Sequence, residues 1–277
     1  MKFFDNHTHS TFSPDSAMTI EDAVKTALKR GLMGFAITDH YDVDAPSRDQ
    51  EFFFDPVQQQ AEIDKVTFQM RDEISQSGLQ IMKGIEVGLQ SGSMEKIKAF
   101  TSQYSFDTVI ASIHFIDGGD PYMGTYYGDK DFKQAYGHAL EEMYNTALSY
   151  RDFDIIGHYD YVARYSPYGP GCRDITLAQF GDYLEPLLKF LAQEGKTFEL
   201  NTKTYTNHKG YVPQLDTAIL RRFRELGGEA LSFGSDSHNA GRLGDKFEYY
   251  AAVAKASGFR YLVYFKNREP QYYKIDI

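Results

Sequence analysis

Six of the eight histidines in this chain of 277 residues stand at the ends of short apolar runs. They are His7 and His9 in D-N-H-T-H, His40 in A-I-T-D-H, His114 in A-S-I-H, His158 in I-I-G-H and His238 in G-S-D-S-H. Acidic residues occur in the same pattern. Asp236 precedes His238 by two positions, and Glu86 lies at the end of the run I-M-K-G-I-E-V. Neutral imidazoles and carboxylates are ligands of zinc, manganese and iron, and this set is larger than one ion needs. The chain is therefore predicted to be a multinuclear metallohydrolase.

These candidate ligands also constrain the domain organisation, because they have to meet at one site. They extend from His7 to Asp236, and a domain boundary between them would divide the site. One α/β domain over residues 1–277 is therefore predicted, and an apolar fraction of 42% is sufficient for its core.

Seven short, β-rich apolar runs alternate with helical patterns along the chain. The runs end near His9, His40, Val87, His114, His158, Asn201 and Asp236. Helices are predicted over residues 19–31 and 176–195, each opened by a capping threonine and closed by a glycine, and over about 56–77, 131–150, 213–226 and 246–257. This alternation predicts a parallel sheet. Closure into a distorted (β/α)7 barrel, similar to a TIM barrel, would place every candidate ligand at the C-terminal mouth.

Spacing within the runs supports a shared site. His7 and His9 lie two apart on a predicted strand and face the same side, and the pair of Asp236 and His238 repeats that spacing. Glu86 is a carboxylate on an apolar strand, which is costly to bury unless a cation compensates its charge. Its two oxygens could bridge two ions about 3.5–4 Å apart.

Individual histidines have a structural alternative. A lone histidine such as His114 or His158 is more often a hydrogen-bonded core residue than a ligand. Six histidines that all fall at predicted strand ends favour the metal interpretation, because chance would place some of them in helices. His138, in a predicted helix, and His208, in a predicted loop, are interpreted as structural.

Charge and cysteine content limit the partners and the compartment. The formal charge of −10 argues against nucleic acid, which requires a field of lysine and arginine, but it allows a small phosphorylated substrate because divalent cations reverse the local sign. No apolar run reaches the roughly 18 residues of a membrane span. A single cysteine, Cys172, excludes an intrachain disulfide, and the first residues contain no apolar signal region, so a cytoplasmic protein is expected.

The ordered motifs H-T-H, T-D-H, G-I-E, S-I-H, G-H-x-D and G-S-D-S-H resemble the polymerase-and-histidinol-phosphatase (PHP) family over residues 3 to about 244. The length and the segments G-H-Y-D-Y-V-A-R and E-L-N-T are most similar to its histidinol-phosphatase branch. The resemblance implies a distorted (β/α)7 barrel with three divalent metal ions, which could be zinc, manganese or iron.

The resemblance also implies which residues hold each ion. The three sets are His7, His9, Glu86 and Asp236; Glu86, His114 and His158; and His40, His238 and Asp15. Some family members have histidine where this chain has Asp15, and an aspartate favours manganese, iron or magnesium over zinc there. Asp15 could instead be a surface cap ahead of the helix that begins near Thr19.

The function expected from the resemblance is hydrolysis of L-histidinol phosphate to L-histidinol and phosphate in histidine biosynthesis. A hydroxide that bridges two ions would attack phosphorus, with Glu86, Asp236 and His238 as the catalytic residues. The leaving alcohol could take its proton from His238 or from a water on the third ion. One alternative is another PHP phosphoesterase, such as a protein-tyrosine or nucleotide phosphatase or a phosphodiesterase. A second is a degenerate barrel kept as a binding module, which would predict eroded ligands and an attached polymerase region.

Candidate substrate-binding residues follow the predicted strands. Arg164 is the main candidate for a phosphate clamp, with a solvated surface arginine as the alternative, and Arg48 and Arg242 are weaker candidates. Asp42 and Asp117 could accept from the ammonium and imidazole of histidinol phosphate.

Two further groups of residues surround the candidate ligands. The aromatic stretch over residues 52–54 could wall the pocket or could be plain packing. Asp5, Asp39 and Asp160 lie beside candidate ligands, and each could orient an imidazole or serve as a turn or cap residue.

Overall fold

A computed structural model describes residues 2–46 and 52–277 and contains a parallel sheet that forms a barrel. Its strands are β1 (Phe4–Thr8), β2 (Gly34–Ile37), β3 (His40–Tyr41), β4 (Gln80–Gly88), β5 (Thr108–Ser112), β6 (Ile155–Ile156), β7 (Thr197–Asn201) and β8 (Leu231–Gly234). They are ordered β1-β2-β4-β5-β6-β7-β8, and β3 continues the second position of the sheet along β4. All pairings in this sheet are parallel, as the sequence predicts.

The sheet closes through the segments that follow β1 and β8. The backbone N–H of Asp236 donates to the carbonyl of His7 over 2.8 Å, and that of His9 donates to the carbonyl of Ser237 over 2.9 Å. Thr8 and Ser237 pair in parallel. Seven strand positions and this closure confirm the predicted distorted (β/α)7 barrel.

Helices cover the outside of the sheet. They are α1 (Ile20–Arg30), α2 (Pro56–Gln69), α3 (Arg71–Ser77), α4 (Met94–Thr101), α5 (Phe132–Tyr150), α6 (Tyr161–Arg164), α7 (Leu177–Gln193), α8 (Thr217–Glu225) and α9 (Phe247–Ala256). Thr19 caps α1 by accepting from the backbone N–H of Asp22, and Gly31 ends that helix with φ of 65°. The single helix predicted over 56–77 is wrong, because Met70 leaves helical geometry and separates α2 from α3. None of the described helices is long and apolar enough to cross a membrane.

A C-terminal hairpin was not predicted from the sequence. Its strands are β9 (Tyr261–Lys266) and β10 (Glu269–Lys274), which pair antiparallel. The Phe4 ring stacks on Tyr264 at a centroid distance of 4.4 Å, and the Asn6 side chain donates to the carbonyl of Val263. Val263 also packs with Ile110 and Ile155 in a buried cluster. The hairpin therefore fills the barrel from the end opposite the strand C-termini.

Candidate metal centre

An irregularity in β1 directs two histidines toward the middle of the barrel. The register between β1 and β2 shifts between Asp5 and Thr8. Asn6 bonds to the C-terminal hairpin, whereas the imidazoles of His7 and His9 both reach Glu86 on β4. Bulges of this kind commonly re-aim side chains next to active sites. Because of the shift, Asn6, which bonds to the hairpin at the closed end of the barrel, is followed directly by His7, a candidate ligand at the mouth.

The fully buried Glu86 carboxylate lies among five imidazoles. Its Oε2 lies 3.2 Å from His7 Nε2, 3.4 Å from His9 Nε2 and 2.9 Å from His40 Nδ1, and its Oε1 lies 3.2 Å from His114 Nε2 and 2.9 Å from His158 Nε2. The Ser112 hydroxyl also donates to Oε1 over 2.6 Å. The carboxylate thus presents one oxygen to each of two groups of imidazoles.

Three more predicted ligands extend this cluster toward solvent. The Oδ1 of Asp236 lies 3.5 Å from His9 Nε2 and 3.4 Å from His238 Nδ1. The Oδ2 of Asp15 lies 3.2 Å from His238 Nε2 and 3.7 Å from His40 Nε2. All nine candidate ligands therefore meet in one place. Potential ligand atoms lie within 4.8 Å of one another in four triads, which are His9/His40/His238, His7/Glu86/His158, His7/His9/Asp236 and His40/Asp42/His114.

The donor set fits divalent cations. The Nδ1 atoms of His7 and His114 each lie 2.7 Å from a carboxylate oxygen, on Glu199 and Asp42 respectively. An ionised carboxylate only accepts, so Nδ1–H donates, and in the neutral ring the Nε2 lone pair is directed at Glu86. Glu86 Oε2 has no hydrogen-bond partner although three imidazole nitrogens lie within 3.4 Å of it. Lone pairs that face one another in a buried site require positive charge between them, and cations would supply it.

The carboxylates and imidazoles of the cluster also shift one another's pKa values. Burial lowers the pKa of His114, but the charges on Asp42 and Glu86 outweigh it and raise that pKa to about 9. Burial raises the pKa of Glu86, but the nearby imidazoles of His7, His114 and His40 outweigh it and hold that pKa well below its usual range. The cluster therefore favours an ionised carboxylate with positive charge around it. Divalent cations would supply that charge in place of the imidazole protons, because imidazoles that bind a metal have to be neutral.

Two residues of this cluster were not predicted from the sequence. Glu199 on β7 takes the His7 N–H on Oε1, and its Oε2 accepts from the backbone N–H of His158 over 2.7 Å. It is a lone carboxylate on a buried strand, the same pattern that identified Glu86. Lys203 follows the end of β7, and its Nζ donates to Asp236 Oδ1 over 3.0 Å and lies 3.1 Å from His238 Nδ1.

The cluster opens into a cavity of about 300 Å³, and the residues predicted to bind substrate differ in their relation to it. Arg164 lines it but is buried, and its Nη1 donates to Asp236 Oδ2 over 2.7 Å. Asp42 also lines it, with Oδ1 already bonded to His114. Asp117 is not among the lining residues. Its side chain is 68% exposed and pairs with His138 at 2.7 Å, so the structure does not bring it to the site.

Comparison with known proteins agrees with this geometry. A family model described as the PHP domain matches residues 5–203. The chain belongs to the PHP family. This PHP match ends before G-S-D-S-H, yet the structure places Asp236 and His238 of that motif in the same cluster.

Relatives resemble this PHP protein over nearly the whole chain. A protein of Clostridium acetobutylicum named "Probable histidinol-phosphatase" is 32% identical over 269 residues, which cover 97% of this chain and 99% of the relative. A "Histidinol-phosphatase" of Lactococcus lactis subsp. lactis is 31% identical over 268 residues, 96% of each chain. The crystal structure of histidinol phosphate phosphatase from Lactococcus lactis subsp. lactis, complexed with zinc, L-histidinol and phosphate, superposes with a TM-score of 0.87 at 30% identity. It covers 98% of this chain and 99% of that one.

The carboxylates predicted to orient imidazoles in this PHP site have other partners. Asp5 accepts from the backbone N–H groups of Ser235 and Gly244, Asp160 accepts from Thr204 and Tyr205, and Asp39 accepts from Ser10, Ser13 and Gln59. Of the three, Asp39 reaches an imidazole through one intermediate, because the Ser13 hydroxyl lies 3.4 Å from His9 Nδ1.

The remaining candidates for substrate binding differ in burial and in whether they line the cavity. Phe52 is buried, lines the cavity and packs edge-on to His40, whereas Phe53 is half exposed. Arg242 pairs with Asp245 away from the cavity lining, and Arg48 lies outside the described residues.

Glu199→Gln is expected to weaken this PHP site without unfolding the barrel. The amide can satisfy either the His7 N–H or the His158 backbone N–H but presents an N–H₂ to the other, so one imidazole loses its orientation. Substitution of such carboxylates typically costs about 10–100-fold in metal affinity or activity. Metal content by elemental analysis and kcat/KM would measure the change, with the exposed Glu194→Gln as the matched control. Wild-type metal affinity and activity in Glu199→Gln would assign Glu199 a purely structural role.

Proposed function

We propose that this protein hydrolyses L-histidinol phosphate to L-histidinol and inorganic phosphate. The observation that carries the proposal is the convergence of six imidazoles and three carboxylates at one cavity. It occurs in a chain similar over its full length to a phosphatase whose crystal contains zinc, L-histidinol and phosphate. Phosphate esters are dianions, and a cluster that demands positive charge is suited to holding both cations and such a substrate.

Three sets of side chains would hold three divalent ions. They are His7, His9, Glu86 and Asp236; Glu86, His114 and His158; and His40, His238 and Asp15. Ions bound there would lower the pKa of water, so that a nucleophile exists near neutral pH, and would neutralise charge on the transferring phosphoryl group. Glu86 takes part in two sets because each of its oxygens already faces a different group of imidazoles.

The chain's own residues position the reacting groups. Arg164 and Lys203 each donate to one oxygen of Asp236, so this carboxylate has a fixed orientation at the cavity wall. Lys203 is partly exposed and lines the cavity, so its ammonium can reach a phosphate bound there. His238 Nδ1 lies 3.0 Å from the backbone carbonyl of Asp236, to which a protonated Nδ1 can donate. The Nε2 lone pair then faces Asp15, which favours a ligand role for His238 over that of a proton donor.

The proposal also covers the domain organisation, the class of substrate and the cellular compartment. We infer one domain over residues 1–277, because β1 contacts the C-terminal hairpin through Phe4 and Asn6. The net charge of −10 favours a small substrate over nucleic acid. A free thiol at Cys172 suits a reducing compartment, the cytoplasm.

A substrate panel tests this function. The purified protein would be analysed for its metals and assayed with manganese or zinc against L-histidinol phosphate, p-nitrophenyl phosphate, phosphotyrosine and nucleoside monophosphates. The expected result is a kcat/KM for L-histidinol phosphate at least about a hundredfold above that for p-nitrophenyl phosphate. Equal efficiency for these two esters would refute the specific activity, and preference for phosphotyrosine or a nucleotide would replace it with another phosphatase activity.

A further inference from the structure

Among the described residues that line the cavity, every carboxylate already has a partner. Asp117 lies outside it, and Asp42 is bonded to His114. The other carboxylates among the described lining residues, Asp15 and Asp236, already face imidazoles or cationic side chains. Among the described residues, the groups left to recognise a leaving group with an imidazole ring and an ammonium are therefore not acidic side chains.

Tyrosine rings form one side of this cavity instead. Tyr161, Tyr165 and Tyr122 all line it, and together they are called the tyrosine wall here. The centroid of Tyr161 lies 5.0 Å from that of His158, Tyr165 lies 5.0 Å from Tyr161, and Tyr122 lies 5.1 Å from Tyr165. The rings therefore run in series from a candidate metal ligand to the surface, where Tyr122 is 54% exposed.

We propose that the tyrosine wall determines specificity for the leaving group and selects phosphate esters whose alcohol carries a flat or cationic ring. Aromatic faces attract cations and pack against other rings, and they do so without a charged partner. The wall begins beside the candidate metal ligands and extends outward, so an ester whose phosphate lies at the cluster would place its alcohol against these rings. The inference rests on the proposed function for the position of the phosphate.

Arg164, which orients Asp236, also packs against two rings of the tyrosine wall. The guanidinium carbon of Arg164 lies 5.5 Å from the Tyr161 ring centroid and 5.8 Å from that of Tyr165. Arg164 is itself fixed by hydrogen bonds to Asp236 and Asn201. The positions of the Tyr161 and Tyr165 rings are therefore set relative to the cluster before substrate arrives, which reduces the ordering cost of binding.

Selectivity in wall variants tests the proposal. The quantity measured is the ratio of kcat/KM for L-histidinol phosphate to kcat/KM for glycerol 3-phosphate, whose alcohol has neither ring nor charge. Tyr165→Leu is expected to lower this ratio about tenfold and Tyr122→Leu about threefold, in line with single aromatic contacts. Tyr165→Phe keeps the ring and is expected to keep the ratio. Tyr249→Leu, at an exposed tyrosine outside the cavity lining, is the matched control and should not change it.

The outcomes separate this inference from the proposed function. An unchanged ratio in both leucine variants would overturn the tyrosine wall, and so would a loss in Tyr165→Phe equal to that in Tyr165→Leu, since the hydroxyl would then be responsible. If the wild type does not prefer L-histidinol phosphate, the proposed function fails. The wall is then judged by the ratio of p-nitrophenyl phosphate to glycerol 3-phosphate, which should fall in Tyr165→Leu. Should Tyr165→Leu not fold, Tyr122→Leu decides, because its ring is more than half exposed.

Discussion

Replacing Glu86 with glutamine is expected to lower kcat/KM by at least about a hundredfold and to reduce the metal bound per chain. Substitution of residues that only orient ligands costs about 10–100-fold, and Glu86 lies closer to the centre, with five imidazoles within 3.4 Å of its two oxygens. The amide has the same shape but no charge, and its nitrogen cannot accept. Two of the three proposed ion sites would therefore lose a ligand together.

Folding and binding have to be measured separately in this variant. Without metal, the melting temperatures of Glu86→Gln and wild type should be similar, because the amide can satisfy some of the surrounding imidazoles. The stabilisation gained on adding manganese or zinc should shrink in Glu86→Gln, because at a fixed metal concentration weaker binding stabilises the folded state less. Glu95→Gln, whose side chain is 93% exposed, is the matched control and should behave as wild type. Wild-type metal content with normal turnover in Glu86→Gln would refute the bridging role.

The sequence was sufficient for the parts of this site that follow from strand periodicity. Apart from Asp15, the predicted ligands stand at or near the ends of apolar runs, and parallel strands in a barrel bring their C-terminal ends to one mouth. That single rule places His114, His158 and Asp236 in one cluster although they are distant in sequence. The seven-strand barrel follows from the same runs.

Residues whose roles depend on side-chain direction were not predictable in this way. The register shift in β1 lets the adjacent side chains of Asn6 and His7 both point into the barrel, and no local pattern marks that shift. Asp117 follows an apolar run as Asp42 does, but its backbone has a positive φ and its side chain turns to His138 on the surface. Glu199 could have been found, since it is a carboxylate on a buried strand.

Replacing Arg164 with alanine is expected to destabilise the folded protein by about 3 kcal/mol, rather than only to weaken phosphate binding as its position after a strand suggests. The side chain is 1% exposed, and it donates to Asp236, Asn201 and Thr204. Breaking a buried ion pair from one side costs about 3–5 kcal/mol because the remaining charge is left unpaired. Lys203 still contacts the other oxygen of Asp236, which places the expectation at the lower end of that range. For a chain of this size the melting temperature should fall by about 6–12 °C.

Two further variants separate the structural role of Arg164 from a direct contact with phosphate. Arg164→Lys keeps the charge near Asp236 but not the fork that reaches Asn201 and Thr204, so it should recover part of the stability and little of the activity. Arg221→Ala removes an exposed arginine from α8 and should change stability by no more than about 0.5 kcal/mol. A wild-type melting temperature in Arg164→Ala, with a raised KM as the sole change, would show that the guanidinium acts on the phosphate. A lower melting temperature with reduced metal affinity would show that it acts by holding Asp236 in the cluster.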